Sequence, residues 1–411
     1  MINFVFVSPN FPSRYFKWVE SLSRRGIRVL GIGDSPHYDL SPRLTNYLTE
    51  YYFLADLSNY EEMKKAIRYF ESKYGKIDYL ESNNEWWLEQ DASLRKEFGI
   101  NTGFHPEDMR KIKAKSAMKA YFEKAGVKTA RYILINGTAD RVAALEFIEK
   151  VGYPVFVKPD IGVGAAKSYS IKNEADLNKF FMEEFNQTYI MEEYVDGWIM
   201  SFDGICNSKS ECVFCCSDHF PIPTADVVNL LLDDVYFINP FDLSSYDIDI
   251  KEFEQMGRRV VKSFGIQKRM FHIEFFVLNK TKKGLGKKGD IIALECNMRP
   301  AGGYTPDLIN FAISASVYEI YADVIAFDEN RQDMSLTKYY SFAISRRDNH
   351  KYEHSNEEIF EKYKDYICAY GRYPKHIADD MGDEYFYGKF TDYQKAWEFD
   401  AFIRKQIDQE K

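Results

Sequence analysis

The sequence lacks the features that define several classes of protein. No stretch of its 411 residues approaches the roughly 18 consecutive apolar residues of a membrane span, so we expect a cytoplasmic protein without membrane contact. It has 54 Lys and Arg residues against 63 Asp and Glu residues, and the formal charge of -9 disfavours a nucleic-acid partner because phosphates would be repelled. The amino terminus, MINFVFVSPNFP, has no basic leader and is interpreted as a first strand rather than a signal peptide.

Cysteine and the common nucleotide-binding glycine motifs are also scarce. The six cysteines lack the paired spacing of zinc fingers; Cys212 and Cys215 lie in a strand-like run, ECVFCCS, and are interpreted as reduced, buried thiols. The segment SPNFPSRYF stands where a GxGxxG fingerprint would follow the first strand, and no GxxxxGK[ST] loop occurs. These absences disfavour a dinucleotide-binding first domain and a P-loop enzyme.

The composition and the periodicity of the sequence predict a globular α/β protein of two or three domains. Hydrophobic residues make up 45% and charged residues 28% of the chain, as is usual for folded proteins. Strand-like runs (INFVFV, GIRVLGIGD and KIDYLES) alternate with helical stretches near 15–25 and 60–73. This alternation predicts a parallel sheet over about the first 105 residues. A helical pattern that begins at Pro106 and ends at Gly126 is expected to open a new domain.

The rest of the chain is predicted to mix strands and helices in an α+β arrangement. Residues 131–205 alternate short strands and helices in a compact unit, and the β runs at 270–278 and 290–296 flank an exposed Lys/Gly-rich hairpin loop. Residues 215–239 are interpreted as a long, proline-containing connection between strands, which either lines a substrate pocket or is a plain surface connection. A last β/α region is expected from about Lys338.

A lysine at a strand end, followed by a glycine-containing loop, predicts a phosphate site. In VFVKPDIGVGAAKSYSI, Lys158 ends an apolar strand and is followed by Gly162 and Gly164. Glycine lets backbone amides approach phosphate oxygens, and the lysine supplies a positive charge. Taken alone, these residues also fit a solvated turn, so the prediction depends on the other motifs.

Two further segments place oxygen donors within predicted strands. In MFHIEFFVL, Glu274 interrupts an apolar strand, where an ionised carboxylate is costly unless it is paired or bound to metal. In DIIALECNMRPAGG, Glu295, Asn297 and Arg299 are spaced by two and therefore share a strand face. If the two strands pair, Glu274 joins Glu295 and Asn297, and the set suits Mg²⁺, which prefers hard oxygen ligands.

The order of these motifs resembles a known family. VKPxxGxG, MEEYVDG, HIEFF and ECNMRPAGG follow one another as in the ATP-grasp superfamily of carboxylate ligases, and IKAKSAMKAYFEKAGV resembles its opening helix. The resemblance covers about residues 1–330. It implies a Rossmann-like pre-ATP-grasp domain at 1–108, an ATP-grasp domain at 109–330 with a mobile lid subdomain at about 131–195, and a small C-terminal α+β region at 331–411 that completes the core.

The resemblance also implies which residues contact ATP, its metal and the reacting carboxylate. The phosphates and adenine would be bound by Lys115, Lys158, Gly162, Gly164, Lys167, Glu192 and Val195. Mg²⁺, with Mn²⁺ as an alternative, would be bound by Glu274, Glu295 and Asn297. Arg299 would stabilise the charge that develops on the acyl oxygen. The family often has an acidic residue after the hinge glycine, whereas Trp198 follows Gly197 here, so ribose recognition is not predicted.

Two more residues are candidates for a part in the reaction. His272 lies two residues before Glu274 on the same strand face, and a structural histidine is an equal alternative. FAISRRDN resembles the strand that gives biotin carboxylases a catalytic arginine, with Arg346 at that position, although the accompanying glutamate is missing. The bicarbonate-binding motif of those enzymes has no counterpart around residues 215–222.

Three functions are compatible with these motifs. The favoured one is a stand-alone ligase, resembling the bacterial L-amino-acid ligases, that activates a carboxylate as an acyl phosphate, joins it to an amine, and releases ADP and phosphate. The alternatives are a bicarbonate-activating enzyme resembling biotin carboxylase or carbamoyl-phosphate synthase, and a non-catalytic ATP-binding regulatory module. The expected partners are small carboxylate and amine substrates, and a homodimer is left open.

Overall fold

Strands from all parts of the chain form three sheets in the computed structural model. The model describes residues 1–162, 168–239 and 248–407, and gives the backbone alone at residues 224, 225 and 376. Within these residues the sheets have four, nine and four strands, with helices between the strands. The mixed α/β and α+β architecture predicted from the sequence is therefore confirmed.

The first sheet is parallel throughout, as its alternating pattern predicts. Its elements are β1 (Asn3–Val7), α1 (Phe16–Arg24), β2 (Arg28–Gly33), α2 (Pro42–Thr45), β3 (Glu50–Phe53), α3 (Tyr60–Tyr74), β4 (Tyr79–Glu81) and α4 (Leu88–Glu97). The strand order is β3-β2-β1-β4, and β1 is buried along its whole length, as expected when helices cover both faces. Because the winding reverses between β1 and β4, the loops after these two strands border a crevice.

The second sheet is a small antiparallel unit that follows two short helices. The elements of this part are α5 (Met109–Lys113), α6 (Lys115–Lys124), β5 (Lys128–Thr129), β6 (Tyr132–Ile135), α7 (Arg141–Val151), β7 (Val155–Pro159), β8 (Tyr169–Ile171), α8 (Glu174–Phe181) and β9 (Tyr189–Glu193). The strand order is β6-β9-β7-β8. The strands and helices predicted for residues 131–195 are present, and helices α7 and α8 share one apolar cluster with the sheet.

The helical pattern that begins at Pro106 is divided into two helices rather than one. Ala114, between α5 and α6, has an extended backbone with ψ of 115° and forms a β-bridge with Ile161. The cause is Asp160, whose carbonyl oxygen accepts from the Lys115 amide at 2.9 Å and whose carboxylate accepts from the Ser116 amide at 2.7 Å. These bonds satisfy amides that a helix N-terminus leaves without partners, so α6 begins at Lys115.

The third sheet is the largest and is mostly antiparallel. Its remaining strands and the accompanying helices are β10 (Gly197–Cys206), β11 (Cys212–Phe220), α9 (Thr224–Asn229), β12 (Val235–Ile238), α10 (Ile250–Phe264), β13 (Arg269–Leu278), β14 (Ile291–Asn297), α11 (Thr305–Ile313), α12 (Val317–Phe327), β15 (Tyr340–Arg346), α13 (Asn356–Tyr363), β16 (Ile367–Arg372), α14 (Lys375–Met381), β17 (Glu384–Phe390) and α15 (Tyr393–Arg404). The strand order is β16-β17-β15-β12-β11-β10-β13-β14-β5.

The prediction of one long connection over residues 215–239 is wrong at both ends. Residues 215–220 continue β11, which pairs with β10 up to Phe220 opposite Ile199, and residues 235–238 form β12. The strand was missed because Asp218 and His219 are polar, and ionisable residues seldom occupy buried strand positions; here both are buried. The connection is limited to residues 221–234.

No single helix in the described part of the chain is long and apolar enough to cross a membrane. Helices α11 and α12 meet that test only when taken together, and they are bent by 91° relative to each other. Their apolar side chains, including Leu308 and Ile320, are buried in the protein core.

Helix α10 packs against the third sheet through a glycine. The buried positions of this amphipathic helix recur at helical spacing: Phe253, Met256, Gly257, Val260, Val261 and Phe264. Gly265, with φ of 70°, ends the helix in the left-handed conformation that glycine adopts without strain. A Cβ atom on Gly257 would lie 2.4 Å from Cδ1 of Phe202 on β10, so only glycine allows this close approach.

We therefore expect Gly257→Ala to destabilise the protein, although alanine favours helices more than glycine does. The added methyl group would push the Phe202 ring out of its packed position, and such overpacking costs roughly 1–3 kcal/mol. Urea unfolding of the variant would measure the loss. Gln255→Ala, an exposed position on the same helix, serves as the matched control and should stay within about 0.5 kcal/mol of wild type. Equal stability of both variants would contradict the close packing.

Candidate active site

Glu274 and Glu295 face each other across the β13–β14 pair, as predicted. The register places Glu274 opposite Glu295, and His272 opposite Asn297. The side chains of Glu274 and Glu295 are 22% and 25% exposed, so both carboxylates reach an accessible surface. Asn297 Nδ2 donates to Glu295 Oε1 at 3.2 Å. Like charges directly opposite one another repel, so this pair requires positive charge nearby.

Two lysines supply part of that charge. Lys115 Nζ lies 3.9 Å from Glu295 Oε2 and donates to the carbonyl oxygen of Gly162 at 2.9 Å. Burial alone would raise the pKa of Glu295, but the charges of Lys115 and Lys158 outweigh burial and lower it. Lys115, Lys158 and the two carboxylates therefore form one charged group, although they lie in four separate segments of the sequence.

Glu192 joins Lys158 to a lysine that was not predicted from the sequence. Its carboxylate lies 2.6 Å from Lys119 Nζ and 2.9 Å from Lys158 Nζ, and all three side chains are buried. Burial raises the pKa of Glu192, but the two lysines outweigh it and lower the pKa to about 2. Glu192 is therefore buried and paired with two lysines at the end of β9. Lys119 lies one turn after Lys115 on α6, and this spacing was the available signal.

His272 bridges two carboxylates. Its Nδ1 lies 2.8 Å from Asp203 Oδ1, and its Nε2 lies 2.9 Å from Glu274 Oε1. Burial lowers the pKa of His272, but Asp203 and Glu274 outweigh burial and raise it well above its usual value. Both ring nitrogens can then donate, which fixes the orientation of Glu274. Asp203 was not predicted, although an acidic residue within the apolar run GWIMSFDGIC was a usable signal.

Arg299 lies in a cleft of about 170 Å³ between the first and third sheets. The walls of this cleft are the loop after β1, the turn after β4 and residues 299–303. Arg299 Nη1 donates to the carbonyl oxygen of Pro300 at 2.8 Å, and Arg299 Nε lies 3.7 Å from Glu85 Oε2. Burial raises the pKa of Glu85, an effect that Arg299 and Lys113 partly offset. Glu85 was not predicted as a site residue.

Known proteins are similar to this region in sequence and to the whole chain in fold. Residues 112–223 match the family model of the carbamoyl-phosphate synthase L chain, ATP binding domain. Over 306 residues, 72% of this chain and 68% of the relative, the chain is 23% identical to the L-arginine-specific L-amino acid ligase of Bacillus subtilis. The crystal structure of an L-amino acid ligase from Bacillus licheniformis matches 100% of this chain and 99% of its own, with a TM-score of 0.70 and 12% identity. The chain is thus similar in sequence and in fold to ligases of the ATP-grasp family.

A second kind of ATP-grasp relative matches a shorter part of the chain. The carbamoyl phosphate synthase large chain of Thermotoga sp. (strain RQ2) is 25% identical over 198 residues, 47% of this chain. The match spans only 17% of that much longer relative. The chain is thus similar in sequence to two kinds of ATP-grasp enzyme.

The structure describes some, but not all, of the residues that are predicted to contact adenine and phosphate. Val195 follows β9 and packs in a small apolar cluster: Ala130, Val195, Leu278, Leu285 and Ile292. The family resemblance implies that the backbone around Val195, together with Glu192, contacts adenine, while the Val195 side chain is buried. Gly162 is placed by the hydrogen bond from Lys115 to its carbonyl oxygen. Gly164 and Lys167 lie outside the described residues.

The carboxylates fit a metal ion that arrives with ATP rather than one held by protein alone. In residues 1–162, 168–239 and 248–407, no group of three or more His, Cys, Asp or Glu side chains is arranged to hold a metal ion. Glu274, Glu295 and Asn297 offer oxygen donors from paired strands. Mg²⁺ usually takes one or two carboxylates together with phosphates and water, so this set fits Mg²⁺ bound to ATP.

Arg346 has no recorded contact with these residues. It is buried at the end of β15, where Nε and Nη2 donate to the carbonyl oxygen of Ile403 at 2.8 and 2.5 Å. Its Nη1 lies 3.4 Å from Asn356 Oδ1, and its guanidinium group stacks on the ring of Tyr352. These contacts hold the C-terminal helix α15 against the sheet and use the donors that a substrate would need.

The two lysines around Glu192 predict a pH-dependent stability. Because the folded-state pKa of Glu192 is lowered to about 2, its ionised form stabilises the fold above roughly pH 4.5, and this stabilisation is lost as the pH falls toward 2. We expect Glu192→Gln to lower the free energy of unfolding by roughly 3 kcal/mol at pH 7, and by less than half of that at pH 3. Urea unfolding at both pH values measures the difference.

The exposed Glu184 provides the matched control for this experiment. Glu184→Gln removes the same charge without leaving a buried lysine unpaired, and it should change the free energy of unfolding by less than about 0.5 kcal/mol at either pH. A Glu192→Gln effect of the same size at pH 3 and pH 7 would contradict an ionised Glu192 between the lysines.

Proposed function

We propose that this enzyme activates the carboxylate of an L-amino acid with ATP and joins it to the amine of a second amino acid, releasing ADP and phosphate. The observation that carries the proposal is the position of Glu274 and Glu295, which lie opposite each other on paired strands, where the charges of Lys115, Lys158 and Arg299 all act on Glu295. Phosphate-binding and carboxylate-binding charges thus surround one place. The similarity to L-amino acid ligases over most of the chain supports the choice of substrate.

Each residue of the site has a role in this reaction. Lys115 and Lys158 bind the phosphates of ATP, and Glu274, Glu295 and Asn297 bind Mg²⁺, which when bound neutralises charge on the transferred phosphoryl group. The substrate carboxylate attacks the γ-phosphoryl group while Arg299 stabilises the charge on its oxygens. The amine of the second substrate then attacks the acyl phosphate, and an amide bond forms as phosphate leaves.

His272 and Arg346 take supporting roles in the proposal. His272 does not react with substrate; it orients Glu274 through the contacts of its two ring nitrogens with Glu274 and Asp203. Arg346 holds the C-terminal helix through Ile403 and is not assigned to catalysis.

Bicarbonate activation is the second candidate function. It is favoured by the match of residues 112–223 to the ATP-binding domain of carbamoyl-phosphate synthase. Against it stands the sequence around residues 215–222, where no basic, glutamine-bearing motif occurs. In the structure, residues 215–220 belong to β11, and the side chains of Asp218 and His219 are buried.

The substrates can be identified by measuring phosphate release from ATP and Mg²⁺. We expect turnover with particular pairs of L-amino acids, with a dipeptide as the product detected by mass spectrometry, and no turnover with bicarbonate alone. Turnover with bicarbonate alone would overturn the proposed function. ATP binding without turnover on any carboxylate would instead indicate a regulatory module.

Replacing Glu295 with Gln tests the metal assignment. The variant keeps the shape of the side chain but removes one negative charge from the candidate metal site, so we expect at least a 100-fold loss of turnover, of the order of 3 kcal/mol in the activation barrier. Circular dichroism should show a fold like that of wild type, because the glutamine side chain keeps the shape of the glutamate side chain. Near-normal turnover in this variant would contradict a role of Glu295 in metal binding.

A further inference from the structure

The cleft that contains Arg299 lies where a parallel sheet commonly binds ligands. The loop after β1 and the turn after β4 both border it, and the chain reverses its winding between these two strands. Ligands of open parallel sheets bind at such a switch point, beyond the carboxyl ends of the strands. The third wall, residues 299–303, brings the end of β14 and therefore the proposed reaction site to the same cleft.

Glu85 is the acidic side chain in the wall of this cleft. It begins a 3₁₀ turn, Glu85–Trp87, that is fixed by Asn84, whose Oδ1 accepts from the Trp86 amide at 3.0 Å. The Glu85 side chain is only 12% exposed. Its Oε2 is buried and accepts no hydrogen bond from any residue that the structure describes. A buried carboxylate oxygen in this state is costly unless a donor binds to it.

The cations around Glu85 do not donate hydrogen bonds to its carboxylate. Lys113 Nζ and Arg299 Nε lie 3.8 and 3.7 Å from its two carboxylate oxygens, beyond hydrogen-bond distance. Arg14, a further charged residue of the cleft, is 2.8 Å from Asp307 and is thus already paired. The cleft therefore presents an acceptor at Glu85 and a cation at Arg299, side by side and incompletely satisfied.

We infer that Glu85 binds the ammonium group of the amino acid whose carboxylate is activated, with that carboxylate at Arg299. The inference rests on the proposed function and names the group by which this substrate is selected. A zwitterionic α-amino acid carries its positive and negative groups on the same carbon atom, which matches the adjacent charges of the cleft. The volume of about 170 Å³ suits a small ligand, since pockets for drug-sized molecules measure roughly 300–1,000 Å³.

The contact of the ammonium group with Glu85 determines which of the two amines acts as the nucleophile. An ammonium group that donates to Glu85 keeps its proton, has no free electron pair, and cannot attack an acyl phosphate. The amine of the second substrate has no such partner at this position and remains the nucleophile. The amino acid in the cleft is therefore the acyl donor, and its own amine does not compete.

The selectivity between L-amino acids and the matching 2-hydroxy acids tests the inference. L-alanine against L-lactate and L-phenylalanine against L-phenyllactate are compared as acyl donors, with hydroxylamine as a common acceptor and ADP formation as the readout. In wild type we expect the amino acid to have the higher kcat/KM. In Glu85→Gln this preference should fall roughly 10- to 100-fold, the effect of losing one charge-assisted hydrogen bond, through a raised KM for the amino acid. The KM for ATP should stay nearly unchanged.

Glu89→Gln is the matched control, because Glu89 is an exposed carboxylate on α4, four residues along the chain. It should keep the wild-type preference. If Glu85→Gln also keeps it while both enzymes form ADP with amino acids, the inference is overturned and the proposed function stands.

Calorimetry separates this result from failure of the proposed function itself. If wild type forms no ADP with any carboxylate, binding of L-alanine and L-phenylalanine is measured in the presence of a non-hydrolysable ATP analogue and Mg²⁺. Binding by wild type that weakens at least 10-fold in Glu85→Gln would support the ammonium site without the ligase reaction. Absence of binding to wild type, or equal binding by both proteins, would overturn the inference.

Discussion

Two carboxylates of like charge, Glu274 and Glu295, stand opposite each other on paired strands, and much of the surrounding structure compensates for their repulsion. Lys115 approaches Glu295, and the His272 ring donates toward Glu274 while Asp203 holds its other side. The pKa of Glu295 is lowered in spite of burial, because Lys115, Lys158, Arg299 and the hydrogen bond from Asn297 together outweigh burial. If the pair binds a divalent cation as proposed, its oxygen donors are already held in place.

Lys158 interacts both with Glu192 and with the carboxylate pair Glu274 and Glu295. Burial lowers its pKa, but Glu192, Glu295 and Glu274 outweigh burial and raise it, so the lysine stays charged. Its direct partner is Glu192, which also binds Lys119. If Lys158 binds the phosphates of ATP as proposed, its side chain is already oriented by Glu192. The conformational entropy of this long side chain is then lost during folding rather than during ATP binding.

The sequence predicts the parts of the site that depend on neighbouring residues along the chain. The spacing of Glu295, Asn297 and Arg299 predicted a shared strand face, because alternation determines which side chains share a face, and Glu274 was expected to join them if the two strands pair. The break at Ala114 could not be predicted in this way, since its cause, Asp160, lies far along the chain. Roles for the individual site residues, and the domain limits, remain predictions that rest on motif order.

Residues whose partners come from other elements were the ones missed. Lys119 has an unremarkable position on a helix surface until Glu192 is placed beside it. Glu85 follows a short strand in a polar segment, SNNEWW, that is typical of an exposed turn. It becomes part of a cleft because Arg299, which follows β14 of the third sheet, lies close to it. Arg346 shows the reverse case: the sequence around it resembles a catalytic strand, while its donors are bound to the main chain of Ile403.

A buried charge cluster also determines how this protein can be divided. Glu81, at the end of β4, contacts Arg95 of α4 and Arg269, the first residue of β13, and both arginines are almost completely buried. An arginine left in such a place without its carboxylate costs several kcal/mol. The first sheet therefore cannot be exchanged for that of another enzyme unless the incoming sheet carries an acidic residue at the position of Glu81. In a recombination experiment, the chimeras that fold would be those that inherit Glu81 and Arg269 together.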